Sequence, residues 1–302
     1  MTLRGVFLGA ALLAGAAVTV PILVHAQARE RSLYVSVVNE AGAPVENLGP
    51  ADFVVREDNV AREVLRVAPA DEPMQIEILV DNSQAARDYI RDMRTALPAF
   101  VDALTEPNDA GRRNEVGIVG LGERPTILAE PTFDRAQLRK GIDRIFAQSG
   151  SGSYLLDAII EVSKGFKKRD APRPVIVAIT TEGPEFSSRH FDLVLNPLRD
   201  ALAAFHVIVV GPLSNDTSDD AHNRNIVLDQ GPRDSGGRFE HILTSMALSG
   251  KLSQLAAELT HQYKVTFARP QSLIPPEHTT VTAARPGLTA RGTLVREPQA
   301  RP

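Results

Sequence analysis

Five consecutive apolar residues, Val175-Ile176-Val177-Ala178-Ile179, fix more about this chain than any other stretch of it. A run that short and that uniformly apolar suits a strand buried on both faces. Such strands lie in the middle of parallel sheets covered by helices on either side. Strand and helix patterns alternate around it. Gln75–Val80 reads as a strand, and Ile90, Met93, Leu97, Val101 and Leu104 then fall on one helical face, which Pro98 should bend or end. Residues 115–121 read as a strand, with 126–129 across a turn as its hairpin partner. Asp134 looks like the N-cap of a helix carrying Leu138, Ile142 and Ile145, and a second helix follows Ser153. Helical spacing at Leu198, Leu202 and Phe205 precedes a strand at 206–210, and a last helix covers 252–261. The polar, Asp-, Asn- and Gly-rich residues 212–237 read as an irregular excursion.

Both flanks have strand character instead. Leu33, Val35 and Val37 share one face before the turn signal Glu40-Ala41-Gly42-Ala43-Pro44, which predicts a hairpin. Residues 53–55 and 63–67 stand on either side of a turn at 57–59, and strands resume at 263–267, 279–283 and 288–295. The expectation is a doubly wound α/β domain at 72–261, its mostly parallel sheet covered on both faces by helices. Residues 27–71 and 262–302 are expected to form one small β domain, the second segment pairing with 32–69.

The N-terminus reads as an export signal: Arg4, an apolar run over 6–24, and small residues permitting cleavage after Ala26 or Ala28. The run approaches the roughly 20 residues of a membrane span, so an uncleaved anchor is the alternative. Either way the body is expected in the periplasm or outside the cell. With no cysteine, the chain has no disulfide framework to rely on, and stability must come from a buried core. A net charge of -4 without a basic stripe removes the electrostatic footprint of nucleic-acid binding.

In an open parallel sheet, ligands bind beyond the carboxyl ends of the strands. Three polar loops belong there: Asp81-Asn82-Ser83-Gln84-Ala85, Ser149-Gly150-Ser151-Gly152-Ser153 and Thr180-Thr181-Glu182-Gly183. Their carboxylates and hydroxyls are the hard oxygen donors that magnesium or manganese prefers. Capping offers another account, with Asp81 and Ser83 starting the next helix and Glu182 a solvated loop acid.

These loops resemble the von Willebrand factor A domain, with its Asp-x-Ser-x-Ser motif, later Thr and later Asp. Asp81 and Ser83 match the first two motif positions. Gly152-Ser153-Tyr154-Leu155-Leu156-Asp157-Ala158 is similar to the segment bearing the Thr, and Thr181-Glu182-Gly183 stands where the second Asp falls. The flanks, including Asp52-Phe53 and Arg285-Pro286-Gly287-Leu288, are similar to the exported VWFA-related proteins typified by Acidobacteria. The resemblance implies a protein-binding or adhesion module whose metal ligands would be Asp81, Ser83, Ser153 and Glu182. An acidic residue of the protein partner would complete the coordination. Ala85 departs from the motif, because it replaces the second serine and removes one oxygen, which makes the site a degenerate one.

No catalytic residue is assigned. Ser187, Ser188 and His190 lack a nucleophile elbow, and the acidic stretch 215–220 lacks the Gly and terminal Glu of a calcium loop. A passive structural subunit of an envelope complex and a hydrolase are the rival expectations.

Overall fold

A computed structural model describes residues 29–271 and 274–296. The export signal therefore lies outside the described residues. In chain order the strands and helices are β1 Arg29–Asn39, β2 Phe53–Glu57, β3 Val60–Arg62, β4 Val64–Pro69, β5 Gln75–Val80, α1 Ile90–Leu104, β6 Glu115–Gly120 and β7 Thr126–Thr132. They continue with α2 Arg135–Asp143, α3 Leu155–Arg169, β8 Pro174–Thr181, α4 Phe191–Ala201, β9 Ala204–Val210 and α5 Asp219–Ser235. The chain closes with β10 Phe239–Ile242, α6 Leu248–Thr260, β11 Tyr263–Arg269, β12 Thr279–Ala283 and β13 Leu288–Leu294.

The central sheet runs β10-β9-β8-β5-β6-β7, parallel throughout except for the antiparallel edge strand β7. Side chains alternate across it with the period of two that a strand imposes. Val175, Val177 and Ile179 pack with Ile76, Ile78 and Val80 under α1, α2 and α6. Ile176, Ala178 and Leu79 pack on the other face under α3, α4 and α5. This is the mixed α/β, doubly wound architecture, with the apolar run of β8 at its centre. Pro98 does not end α1, which continues through it.

The structure departs from the sequence-based expectation at two places. Residues 212–237 are not mainly irregular, since α5 occupies most of them. Its start is set by Ser218, whose hydroxyl accepts from the Ala221 amide, with Asp219 and Asp220 in the first turn. The acidic stretch 215–220 is thus a helix start. The turn at 40–44 does not build a two-stranded hairpin either. It returns only far enough for one bridge, between Val38 and Pro44, because β1 is already paired on both sides by distant strands.

Those partners come from the C-terminal flank. β1 lies between β11 and β13 in the antiparallel sheet β13-β1-β11-β4, and β12 pairs with β2 in the sheet β12-β2-β3. The two sheets enclose a small core of Leu33, Val35, Val37, Phe53, Val55, Val265 and Phe267. Arg173 fastens this β domain to the α/β domain. Its guanidinium donates to the carbonyls of Ala70, Glu72 and Leu259 and to Gln262 Oε1, and it lies 4.8 Å over the Tyr34 ring.

Candidate functional site

The parallel order places the loops after β5 and β8 and the start of α3 at one edge of the sheet. Asp81 follows β5 directly and is fully buried. Its Oδ1 accepts from the Ser83 amide at 2.9 Å, closing a tight local turn. Its Oδ2 accepts from the Thr181 amide at 3.1 Å and from Thr181 Oγ1 at 2.6 Å, tying the end of β5 to the end of β8. The start of α3 is held to the same edge, with Ser153 N donating to Pro184 O at 2.8 Å and Gln84 N to Ser151 O at 3.2 Å.

The structure therefore brings Asp81, Ser83 and Ser153 into one cluster of loops. Ser83 and Ser153 are buried, and neither hydroxyl oxygen has a hydrogen-bond partner among the described residues. Ser83 stands at the N-cap position of the short helical turn Gln84–Tyr89 yet makes no side-chain cap bond, which corrects the capping account. Buried hydroxyls are ordinarily paired with protein groups or ordered water. Asp81 Oδ1, with one bond, keeps a lone pair, whereas Oδ2 already accepts two hydrogen bonds from Thr181. A carboxylate and two hydroxyls suit magnesium or manganese in chemistry, with water to fill further positions. Among the described residues no group of three or more His, Cys, Asp or Glu could hold a metal ion.

Glu182 takes a different place. Its carboxylate pairs at 3.5 Å with Arg224 Nη1, and Arg224 is itself only 3% exposed. Arg224 Nη2 also donates to Thr181 O. Glu182 is thus neither a free loop acid nor committed to Asp81 and the serines. Ala85 closes the gap behind it: a Cβ added at Gly183 would stand 2.4 Å from that of Ala85.

Two further residues build the edge and were missed from sequence. Asn82 is a cross-link whose Oδ1 accepts from Gly122 N at 2.7 Å and whose Nδ2 donates to Phe146 O at 3.2 Å. Glu185 is buried and accepts from Ser187 N at 3.0 Å, and burial pushes its carboxyl up to about 7. An Asn following an Asp is a weak signal for the first, and nothing local signals the second. Large apolar side chains stand exposed in the loops at this end: Phe146, Phe186, Leu213, Leu243 and Met246.

The serine and histidine candidates form no nucleophile and base pair. Ser187 Oγ accepts from the Asp157 amide at 3.1 Å in the first turn of α3. His190 caps α4 through Asp192 N, and Ser188 donates to Asp220. A cleft of about 570 Å³ lies at the opposite end, between the two domains, lined by Glu46, Asp71, Glu72, Glu106 and Asp109 among others. Its acids come from three separate stretches of sequence, so only the fold assembles it.

The doubly wound α/β domain thus carries an aspartate-serine turn at the carboxyl ends of its strands. Residues 76–183 match the family model described as von Willebrand factor type A domain, and the α/β domain carries that fold. Proximal thread matrix protein 1 from the mussel byssus is similar at 14% identity and a TM-score of 0.50, over 68% of this chain and 50% of that one. A von Willebrand factor type A protein from Catenulispora acidiphila shows 13% identity and a TM-score of 0.47, over 90% and 73%. The PilB minor pilin from Streptococcus sanguinis shows 11% identity and a TM-score of 0.45, over 63% and 62%. The chain thus spans 62% of the pilin and half of the mussel protein. No curated protein sequence matches the chain.

Proposed function

We propose that this protein is an exported, non-catalytic binding module of the VWFA-related type, which docks a protein partner on the edge formed by Asp81, Ser83 and Ser153. The observation that carries the reading is the pair of buried, unpartnered hydroxyls beside a carboxylate, at the end of the sheet where the exposed apolar side chains also gather. Asp81, Ser83 and Ser153 would hold a magnesium or manganese ion, and the ion would supply a positive charge for an acidic side chain of the partner. The rim of Phe146, Phe186, Leu213, Leu243 and Met246 adds apolar contact area of the kind found at the centres of protein interfaces. The partner is accordingly a protein with an exposed Asp or Glu flanked by apolar residues. Export rests on the apolar N-terminal run. Among the described residues no helix is long and apolar enough to cross a membrane.

Calorimetric titration with manganese tests the site. The unaltered chain is expected to bind weakly, and Ser83→Ala and Ser153→Ala to bind at least roughly ten-fold more weakly still. Heat unchanged by either substitution would remove these residues from the site. Ala85→Ser is expected to restore the missing oxygen and tighten manganese binding in the same measurement, at a modest cost in stability because Gly183 lies directly against residue 85.

A further inference from the structure

Arg224 has no obvious reason to be where it is. A guanidinium taken out of water is costly unless its donors are met, and apolar replacements of buried ion pairs are often neutral or stabilising. Arg224 is 3% exposed, its Nε has no partner among the described residues, and its Nη1 reaches Glu182 at 3.5 Å and Asn225 Oδ1 at 3.4 Å. What distinguishes the position is its proximity to the candidate site. Nη2 donates to the Thr181 carbonyl, and the amide and hydroxyl of that same residue bind Asp81 Oδ2. One residue therefore separates a fixed positive charge from the carboxylate that would receive a cation. The same guanidinium holds the carboxylate that stands at the second acidic position of the motif.

We infer that Arg224 sets the cation affinity of this edge. It engages Glu182, so that Asp81 is left as the one carboxylate of the site, and its charge opposes the entry of a divalent ion. This rests on the reading that Asp81, Ser83 and Ser153 hold the ion. Arg224 is a positioning residue, acting through Glu182 and Thr181, and it makes the site weak by construction. Occupancy then depends on what the partner adds.

Manganese titration of the mature chain separates the possibilities. Arg224→Gln is expected to bind roughly ten-fold more tightly than the unaltered protein. Arg224→Lys keeps the charge and is expected to stay weak. Adding Glu182→Gln to Arg224→Gln should erase the gain, whereas Glu182→Gln alone, which leaves the Arg224 charge unopposed, should bind no more tightly than the unaltered protein. If Arg224→Gln binds no more tightly while Ser83→Ala still loses binding, the inference falls and the site stands. If none of the proteins binds manganese, both fall. Should Arg224→Gln fail to fold, Glu182→Gln alone decides: equal or weaker binding fits the opposing charge of Arg224, and tighter binding overturns the inference.

Discussion

Asp81→Ala is expected to abolish manganese binding and to lower the free energy of unfolding by about 3 kcal/mol, since it deletes a buried carboxylate and three hydrogen bonds to it. The two losses have different origins. The stability loss comes from the Thr181 amide and hydroxyl and the Ser83 amide, left without an acceptor at the junction of β5 and β8. The binding loss would come from removing the carboxylate on which the proposed cation site depends. Urea denaturation in metal-free buffer measures the first, and calorimetry measures the second. Ser83→Ala is expected to separate them, because an unpartnered hydroxyl can be deleted with little effect on folding. A substitution at Asp81 that left stability unchanged would mean that the two strand ends are not joined as described.

The second large effect belongs to the junction of the two domains, where Glu258 on α6 is buried without exposed side-chain surface. Arg291 on β13 holds it at 2.7 Å and Arg238 at 3.4 Å. Arg291→Ala would leave the carboxylate with one distant partner, at a cost of about 3 kcal/mol measured by urea denaturation. Adding Glu258→Gln should recover part of it. Facing this group is His206 on β9, with neither ring nitrogen bonded among the described residues, and burial pushes it down to about 4. Arg238 and Arg291 push the same way and Glu258 opposes them, while Glu240 and Lys251 pair at the rim.

The unfolded chain binds a proton at His206 from about pH 6.5 downward, whereas the folded chain resists it to about pH 4. Stability is therefore complete above pH 6.5 and falls by about 3 kcal/mol on acidification through that window. Glu258, held below its ordinary value, adds a loss at lower pH still. Glu77 works in the opposite direction. Burial raises its carboxyl to about 7, so its contribution is full below about pH 4.5 and declines as pH rises through 7. His206→Leu should remove the acid-side slope between pH 6.5 and 4 in urea midpoints measured across pH, while leaving the Glu77 slope in place.

What could be read from the sequence, and what could not, divides along physical lines. The apolar run of β8 and the helical stripe of α1 are local patterns that report burial directly. α5 offered no such stripe. Its buried face consists of Ala221, Arg224, Val227, Leu228, Gly231 and Pro232, and Gly231 lets it approach so closely that an added Cβ would stand 2.8 Å from Phe205. A helix that packs through small residues and a buried arginine looks like a polar loop. Arg224 sits on that misread helix, so its pairing with Glu182 at 3.5 Å was not visible in the sequence. Asp81, Ser83 and Ser153, by contrast, lie on loops next to strands and helices that the pattern had already placed. The flanking strands were legible one by one, but the pairing of β1 with β11 and β13 depends on contacts more than 200 residues apart.

On the proposed reading, the cation and the partner meet the chain at the Asp81 edge and not at the acidic cleft between the domains. Paramagnetic broadening by manganese of the amide resonances of the isotope-labelled protein distinguishes the two places. The amides of Ser83, Ser153 and Gly183 should broaden first, and those of Glu72, Glu106 and Asp109 should stay sharp. Broadening that begins at Glu72, Glu106 and Asp109 and spares Ser83 and Ser153 would contradict the claim.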